Sequence, residues 1–187
     1  HHKLDQITMN CYYLSKYASV LDVNSKAKRR KYETFLIKDY LETILEENPI
    51  LHYKGENYKC KIKGKDFTIR GIKSNIKVIV ENMILNSLYW LEYFNIPEPL
   101  ICFELFPDER KLIISDNGKG IDQNISNKIF EPFVSNKPHR DGLGMGLYIV
   151  TELLQDFGAI ISLDEELNNY GNKYKFIIEF LEENNNE

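Results

Sequence analysis

A chain of 187 residues with 43% apolar residues, 28% charged residues and a net charge of −4 has the composition of a soluble globular protein with one substantial core. That balance excludes an intrinsically disordered chain, and no global charge excess points to nucleic acid, because the basic run Lys26-Ala27-Lys28-Arg29-Arg30-Lys31 reads as a solvated helix face. The longest apolar runs fall short of the roughly 20 residues of a membrane span, no signal-peptide pattern opens the chain, and Cys11, Cys60 and Cys102 lack zinc or disulfide spacing, so a soluble, cytoplasmic piece without membrane contact is expected.

His1-His2 reads as the end of an expression tag and is set aside, and the sequence is read as a piece of something longer. Next, Leu4, Ile7, Cys11, Leu14, Ala18 and Leu21 step by three and four, the spacing of a helix that packs on another helix. The stripe breaks at Ser25 and Lys28, resumes at Phe35, Ile37, Leu41, Ile44 and Leu45, and stops at Pro49. Residues 4–48 therefore predict one long helix or a helical hairpin. Residues 1–50 form the expected helical arm, and residues 51–187 the globular domain. Packing within the chain explains such a stripe as readily as a homodimer does.

Past Pro49 come short β-prone pieces, Tyr58–Ile62 and Phe67–Ile69, then a strongly apolar helix over Asn75–Phe94 closed by Pro97 and Pro99. Leu100–Phe106 and Lys111–Ser115 flank Pro107-Asp108-Glu109-Arg110 and predict an antiparallel hairpin. A short helix near Gln123–Ile129, a helix over Gly144–Phe157, and strands near Ile160–Leu163 and Lys173–Phe180 complete the domain. The expected class is α+β: a two-layer sandwich with a mixed, largely antiparallel sheet and helices on one face.

Three groups of residues carry chemistry. Asn82 and Asn86 share one face of the Asn75–Phe94 helix, and amides amid Met83, Ile84, Leu85 and Leu88 are costly unless their polar atoms are used. An amide oxygen there can ligate Mg²⁺ or cap a neighbouring loop. Asp116-Asn117-Gly118-Lys119-Gly120 ends a strand, either as a simple turn or as a carboxylate placed to accept from an exocyclic amine, with glycines that admit a ligand close to the backbone. In Gly142-Leu143-Gly144-Met145-Gly146-Leu147, alternating glycines run into a helix start, whose N–H groups suit an anion.

Taken in order, Asn82–Asn86, Asp116–Gly120, Phe130-Glu131-Pro132-Phe133 and Gly142–Gly146 resemble the N, G1, F and G2 boxes of the GHKL ATPase superfamily, the group of gyrase, mismatch-repair ATPases, the ninety-kilodalton chaperone and sensor histidine kinases. The resemblance implies the Bergerat fold and the cofactors ATP and Mg²⁺. It implies that Asn86 holds the metal, Asn82 helps position phosphates, Asp116 reads the adenine amine, Gly118 and Gly120 shape the adenine floor, and Ile121 is ATP-binding. Trp90, Phe133, Gly142, Leu143, Gly144, Met145, Gly146 and Leu147 complete the ATP-binding set. Val134–Asp141 would be the ATP lid, from which Lys137 and Arg140 meet phosphate.

Gyrase-like and chaperone-like members usually carry a glutamate four residues before the metal asparagine. Asn82 stands there instead, which favours the histidine-kinase branch, as does Ile129-Phe130-Glu131-Pro132-Phe133. That branch implies two-component signalling with a response regulator and phosphotransfer to a histidine on another domain. Two departures stand out. Kinases commonly follow the metal asparagine with alanine, any residue, lysine and tyrosine, whereas Ser87-Leu88-Tyr89-Trp90 puts Tyr89 where a phosphate-contacting lysine would be. Glu81, beside Asn82, is the candidate base for a hydrolytic alternative, so Asn82 and Glu81 are the catalytic candidates. His52 and His139 are the histidines left after the tag, and neither has the setting of a phosphoacceptor. A kinase-type ATP domain without its acceptor, a GHKL ATPase driving a conformational change, and a nucleotide-sensing module are the readings that remain.

Overall fold

A computed structural model describes residues 31–48, 51, 58–138 and 142–181. In chain order these form β1 (Glu33–Leu36), α1 (Ile37–Glu46), β2 (Lys59–Gly64), β3 (Thr68–Gly71), α2 (Lys73–Tyr93), β4 (Leu100–Phe106), β5 (Lys111–Asp116), α3 (Gln123–Ser126), α4 (Gly146–Leu154), β6 (Ala159–Leu163) and β7 (Lys175–Phe180).

Five strands make one sheet in the order β2-β4-β5-β7-β6, and β1 pairs with β3 in a separate two-stranded sheet. Only β2–β4 is parallel in the larger sheet; β4–β5, β5–β7 and β6–β7 are antiparallel. This is the mixed, largely antiparallel sheet expected. The period of two sorts its side chains. Ile101, Phe103 and Leu105 of β4, Leu112 and Ile114 of β5, and Phe176, Ile178 and Phe180 of β7 are all buried on one face. α2 is apolar almost all round, and Ile76, Ile79, Val80, Met83, Ile84, Leu85, Leu88 and Leu91 are buried, as a helix enclosed by other elements requires.

The stretch 4–48 is not one helical stripe. Ile37–Glu46 is helix, but Glu33–Leu36 is strand, with Phe35 opposite Ile69. Strand pairing overrides the three-and-four spacing here because Phe35 alone is buried in this segment, which a period of two satisfies as well. These residues, expected at the end of the arm, belong to the compact unit that begins at Glu33. The rest of the expected arm, residues 4–30, lies outside the described residues.

α1 starts without a local side-chain cap. Asp66, in the β2–β3 connection, caps it from a distance: its Oδ1 accepts from Lys38 N–H at 2.8 Å and its Oδ2 from Asp39 N–H at 3.2 Å. The predicted hairpin turn is present, with a short 3₁₀ turn at Pro107–Glu109 closed by the Arg110 N–H on Pro107 O at 3.1 Å. Two predicted helices are shorter than expected. The 123–129 helix ends at Ser126, and the 144–157 helix is α-helical only over Gly146–Leu154 before tightening to 3₁₀ at Gln155–Phe157.

Candidate active site

The asparagine pair lies on α2, the Asp116 and Gly146 groups come against it, and the phenylalanine group packs on the glycine group. Helical spacing lines Asn82, Asn86, Tyr89 and Tyr93 along one stripe. The Asn82 amide donates to Val78 O at 2.8 Å within the helix, whereas Asn86, half-buried, makes no hydrogen bond with any described residue. Gly146, which opens α4, comes against Asn82: a Cβ there would stand 3.3 Å from Asn82 Oδ1. Met145, at the N-cap, supplies no side-chain cap to the first N–H groups of α4, which start beside Asn82.

β5 delivers Asp116 to the same region. Gly118 N–H donates to Asp116 Oδ1 at 2.9 Å. Burial pushes the Asp116 carboxyl above the usual carboxylate range, against the opposing pull of hydrogen bonds from the Ser87 hydroxyl and the Gly118 N–H. Ser87 is 5% exposed, so the link between α2 and β5 is enclosed. Sequence reading marked Ser87 only as a departure from the family pattern; its partner became visible once α2 and β5 were docked. Asn117 has a separate task. Its Oδ1 accepts from Leu100 N–H at 2.8 Å and its Nδ2 donates to Glu98 O at 3.1 Å, which ties the end of β5 to the start of β4.

A clasp from the β6–β7 connection holds the glycine turn. Asn168 Nδ2 donates to Gly118 O at 3.4 Å, Asn172 Nδ2 to Lys119 O at 2.9 Å, and Ile121 N–H to Lys173 O at 2.8 Å. Gly120 sits at φ +76°, and a Cβ there would lie 2.8 Å from both Asn168 Nδ2 and Lys173 O. Gly120→Ala is expected to destabilise the domain by about 2 kcal/mol, from left-handed strain plus crowding, which calorimetry should read as a melting temperature lower by about 4–8 °C.

The phenylalanine and glycine groups meet each other directly. Gly144 is at φ +66°, and a Cβ would stand 2.5 Å from Phe133 C and 2.7 Å from Val134 N. Phe133 is itself at φ +66° and 76% exposed, and Leu143 is 59% exposed, so these expected site residues present apolar surface instead of filling a core. Phe130 packs edge-on against Phe176 at 6.3 Å, which anchors the segment to the sheet. Leu147, half-buried in the first turn of α4, accepts from the Thr151 hydroxyl at 3.1 Å.

The Lys137 ammonium lies 4.2 Å from the Tyr89 ring centroid. Trp90 meets Tyr89 edge-on at 5.1 Å and stacks on Phe94 at 5.7 Å, and Lys119 Nζ lies 4.4 Å from the Phe94 ring. Arg140, His139 and His52 lie outside the described residues. Glu81 is 5% exposed. After burial itself, Glu47, Glu81 and Glu33 push the Tyr40 phenol of α1 upward, so the charge of Glu81 is felt on the α1 side of α2.

No cluster of three or more His, Cys, Asp or Glu residues suited to a metal occurs among the described residues. A magnesium ion that takes one amide oxygen, phosphate oxygens and water needs no such cluster, and the open amide of Asn86 fits that ligand set. Among the described residues no helix is long and apolar enough to cross a membrane.

A family model described as histidine kinase-, DNA gyrase B-, and HSP90-like ATPase matches residues 71–184. The autoinducer 1 sensor kinase/phosphatase LuxN of Vibrio campbellii is 28% identical over 129 residues, 66% of this chain and 15% of LuxN. Sensor histidine kinase AtsR of Burkholderia thailandensis is 35% identical over 106 residues, 52% of this chain and 17% of AtsR. Sporulation kinase D of Bacillus subtilis is 28% identical over 153 residues, 78% of this chain and 28% of the kinase. The chain thus spans less than a third of the length of each. Among solved structures, Acinetobacter baumannii histidine kinase AdeS superposes with a TM-score of 0.67 at 18% identity, covering 97% of this chain and 82% of that one. The mycobacterial sensor histidine kinase MprB gives 0.65 at 20% identity, covering 79% and 95%. At these identities the superpositions speak for the fold.

Proposed function

The chain belongs to the histidine kinase-, DNA gyrase B-, and HSP90-like ATPase family and carries its ATP-binding catalytic domain, and from that premise we propose that it holds Mg²⁺·ATP for phosphoryl transfer to a histidine elsewhere in a sensor histidine kinase. The observation that supports this most is that Asp116 is bonded to Ser87 of α2, the start of α4 comes against Asn82 of α2, and the glycine motif packs on the phenylalanine motif. In this reading Asp116 accepts from the adenine amine, and Gly118, Gly120 and Ile121 form the floor beneath the base. Asn86 would offer its amide oxygen to Mg²⁺, which when bound would supply neutralisation of the phosphate charge. Asn82 and the first N–H groups of α4 orient the phosphate chain. The incoming histidine nitrogen forms a P–N bond as the bond from the γ-phosphorus to the bridging oxygen of ADP breaks, and ADP leaves. The phosphohistidine would then serve a response regulator, and the part of the expected helical arm that precedes Glu33 would join two copies.

The test is calorimetric titration of the 187-residue chain with a non-hydrolysable ATP analogue, with and without Mg²⁺. Binding strengthened by the metal is expected; no binding under either condition overturns the proposal. Water activation by Glu81 is disfavoured by its burial. Glu81→Gln is therefore expected to leave the slow release of phosphate from ATP unchanged. If that substitution abolishes steady turnover, the hydrolytic reading replaces phosphotransfer.

A further inference from the structure

Tyr89 follows Asn86 by one helical turn and shares its stripe, so its ring borders the region proposed for the phosphates. The ring is held on two sides within α2, edge-on to Trp90 at 5.1 Å and stacked at 6.2 Å on Tyr93 with an interplanar angle of 6°. Over it lies the Lys137 ammonium, 4.2 Å from the centroid. The lysine arrives from the segment that joins the phenylalanine and glycine motifs. Its N–H donates to Ser135 Oγ at 3.2 Å, and its stem passes Gly142, where a Cβ would stand 3.3 Å from Lys137 Cδ. A loop lysine is thereby led past one phosphate-site glycine and set on an aromatic platform beside the proposed metal ligand.

We infer that Tyr89 is a positioning residue: it holds the Lys137 ammonium beside Asn86, where the lysine reads the terminal phosphate and makes the site prefer a nucleoside triphosphate to a diphosphate. A lysine free to sweep its four-carbon stem through solvent would spend much of its time elsewhere, and ordering that stem costs entropy on binding. A tyrosine face attracts an ammonium through its quadrupole, strongly enough to confine it and weakly enough to yield it to a phosphate oxygen. The aromatic neighbours fix the ring, so the platform is rigid. The inference rests on the nucleotide reading above and adds to it a specificity determinant for the γ-phosphate.

The experiment uses the whole 187-residue chain. Mg²⁺ with a non-hydrolysable ATP analogue, and Mg²⁺ with ADP, are titrated by calorimetry and by the fluorescence of Trp90, the single tryptophan of the chain. Tyr89→Leu is expected to weaken the triphosphate analogue about three- to tenfold, the scale of a cation–π contact, and to leave ADP binding unchanged. Tyr89→Phe keeps the ring and should restore the parent preference. Lys137→Ala, a loop change that leaves α2 intact, should show the same selective loss, and adding Tyr89→Leu to it should cost nothing further. Equal losses for the analogue and ADP in Tyr89→Leu or in Lys137→Ala, or additive losses in the double variant, overturn the inference while the nucleotide reading stands. A parent chain that binds neither nucleotide overturns both.

Discussion

Asp116→Asn should weaken binding of adenine nucleotides about a hundredfold while the nucleotide-free protein melts no lower than the parent. A hydrogen bond to a charged group in an enclosed site contributes about 1.5–3 kcal/mol, which corresponds to about ten- to a hundred-and-fiftyfold in affinity. Asparagine keeps one oxygen for the Gly118 N–H, but its amide turns an acceptor into a donor, and a donor cannot satisfy the adenine amine. Asp116→Ala should lose the same affinity yet also strand the Ser87 hydroxyl and the Gly118 N–H, so its melting temperature is the lower of the two.

The pH dependence follows from the direction of the Asp116 shift. Its native pKa lies above the unfolded value, so the native state holds this proton more tightly than the unfolded chain does. The group's contribution to stability is therefore complete below the unfolded pKa, about 3.9 for an ordinary aspartate, and is lost as pH rises through the raised native value. Above the raised native value the ionised carboxylate is a cost to the fold, which asparagine removes. Nucleotide affinity runs the other way, because the acceptor must be ionised. It should fall on acidification at a higher pH than an exposed aspartate would give, and Asp116→Asn should abolish that titration. An Asp116→Asn chain with parental affinity and parental pH dependence would remove Asp116 from the site.

Asn86→Ala should abolish the strengthening of nucleotide binding by Mg²⁺. The parent titrated in chelator and the variant titrated in Mg²⁺ are expected to give matching affinities. A loss of at least about tenfold is expected, the lower end of what removal of a group that merely supports a metal ligand costs. Unlike Asn82, whose amide is engaged with Val78 O, Asn86 has no hydrogen bond to a described residue to forfeit, so the melting temperature should hardly move. Mg²⁺ that strengthens binding equally in both proteins would dismiss Asn86 as the ligand.

Legibility differed from element to element. α2 and the β4–β5 hairpin stood out in the sequence because each announces itself locally: a strongly apolar run closed by prolines, and two β-prone runs around Pro107. The strand at Glu33–Leu36 did not, since four residues with one buried side chain fit either period and only the partner strand β3 decides between them. The shortened α4 has a similar origin. Gly144 was expected inside the helix, but its left-handed backbone and its contact with Phe133 and Val134 delay the helix until Gly146.

By itself the sequence determined the α+β class, the order of the motifs and the residue types offered to a nucleotide, because apolar periodicity, glycine spacing and amide placement are local properties of a chain. Only the tertiary structure decided what those residues touch. It paired Ser87 with Asp116, brought the Asn168–Lys173 turn onto the Gly118–Ile121 backbone, buried Glu81 and set Lys137 over Tyr89. Such pairs come from segments tens of residues apart, up to 81 for the Asn75–Asp156 hydrogen bond, and no local pattern specifies them. They exist because strand register and the docking of α2 on the sheet bring their elements within reach, and those follow from burying the whole core at once.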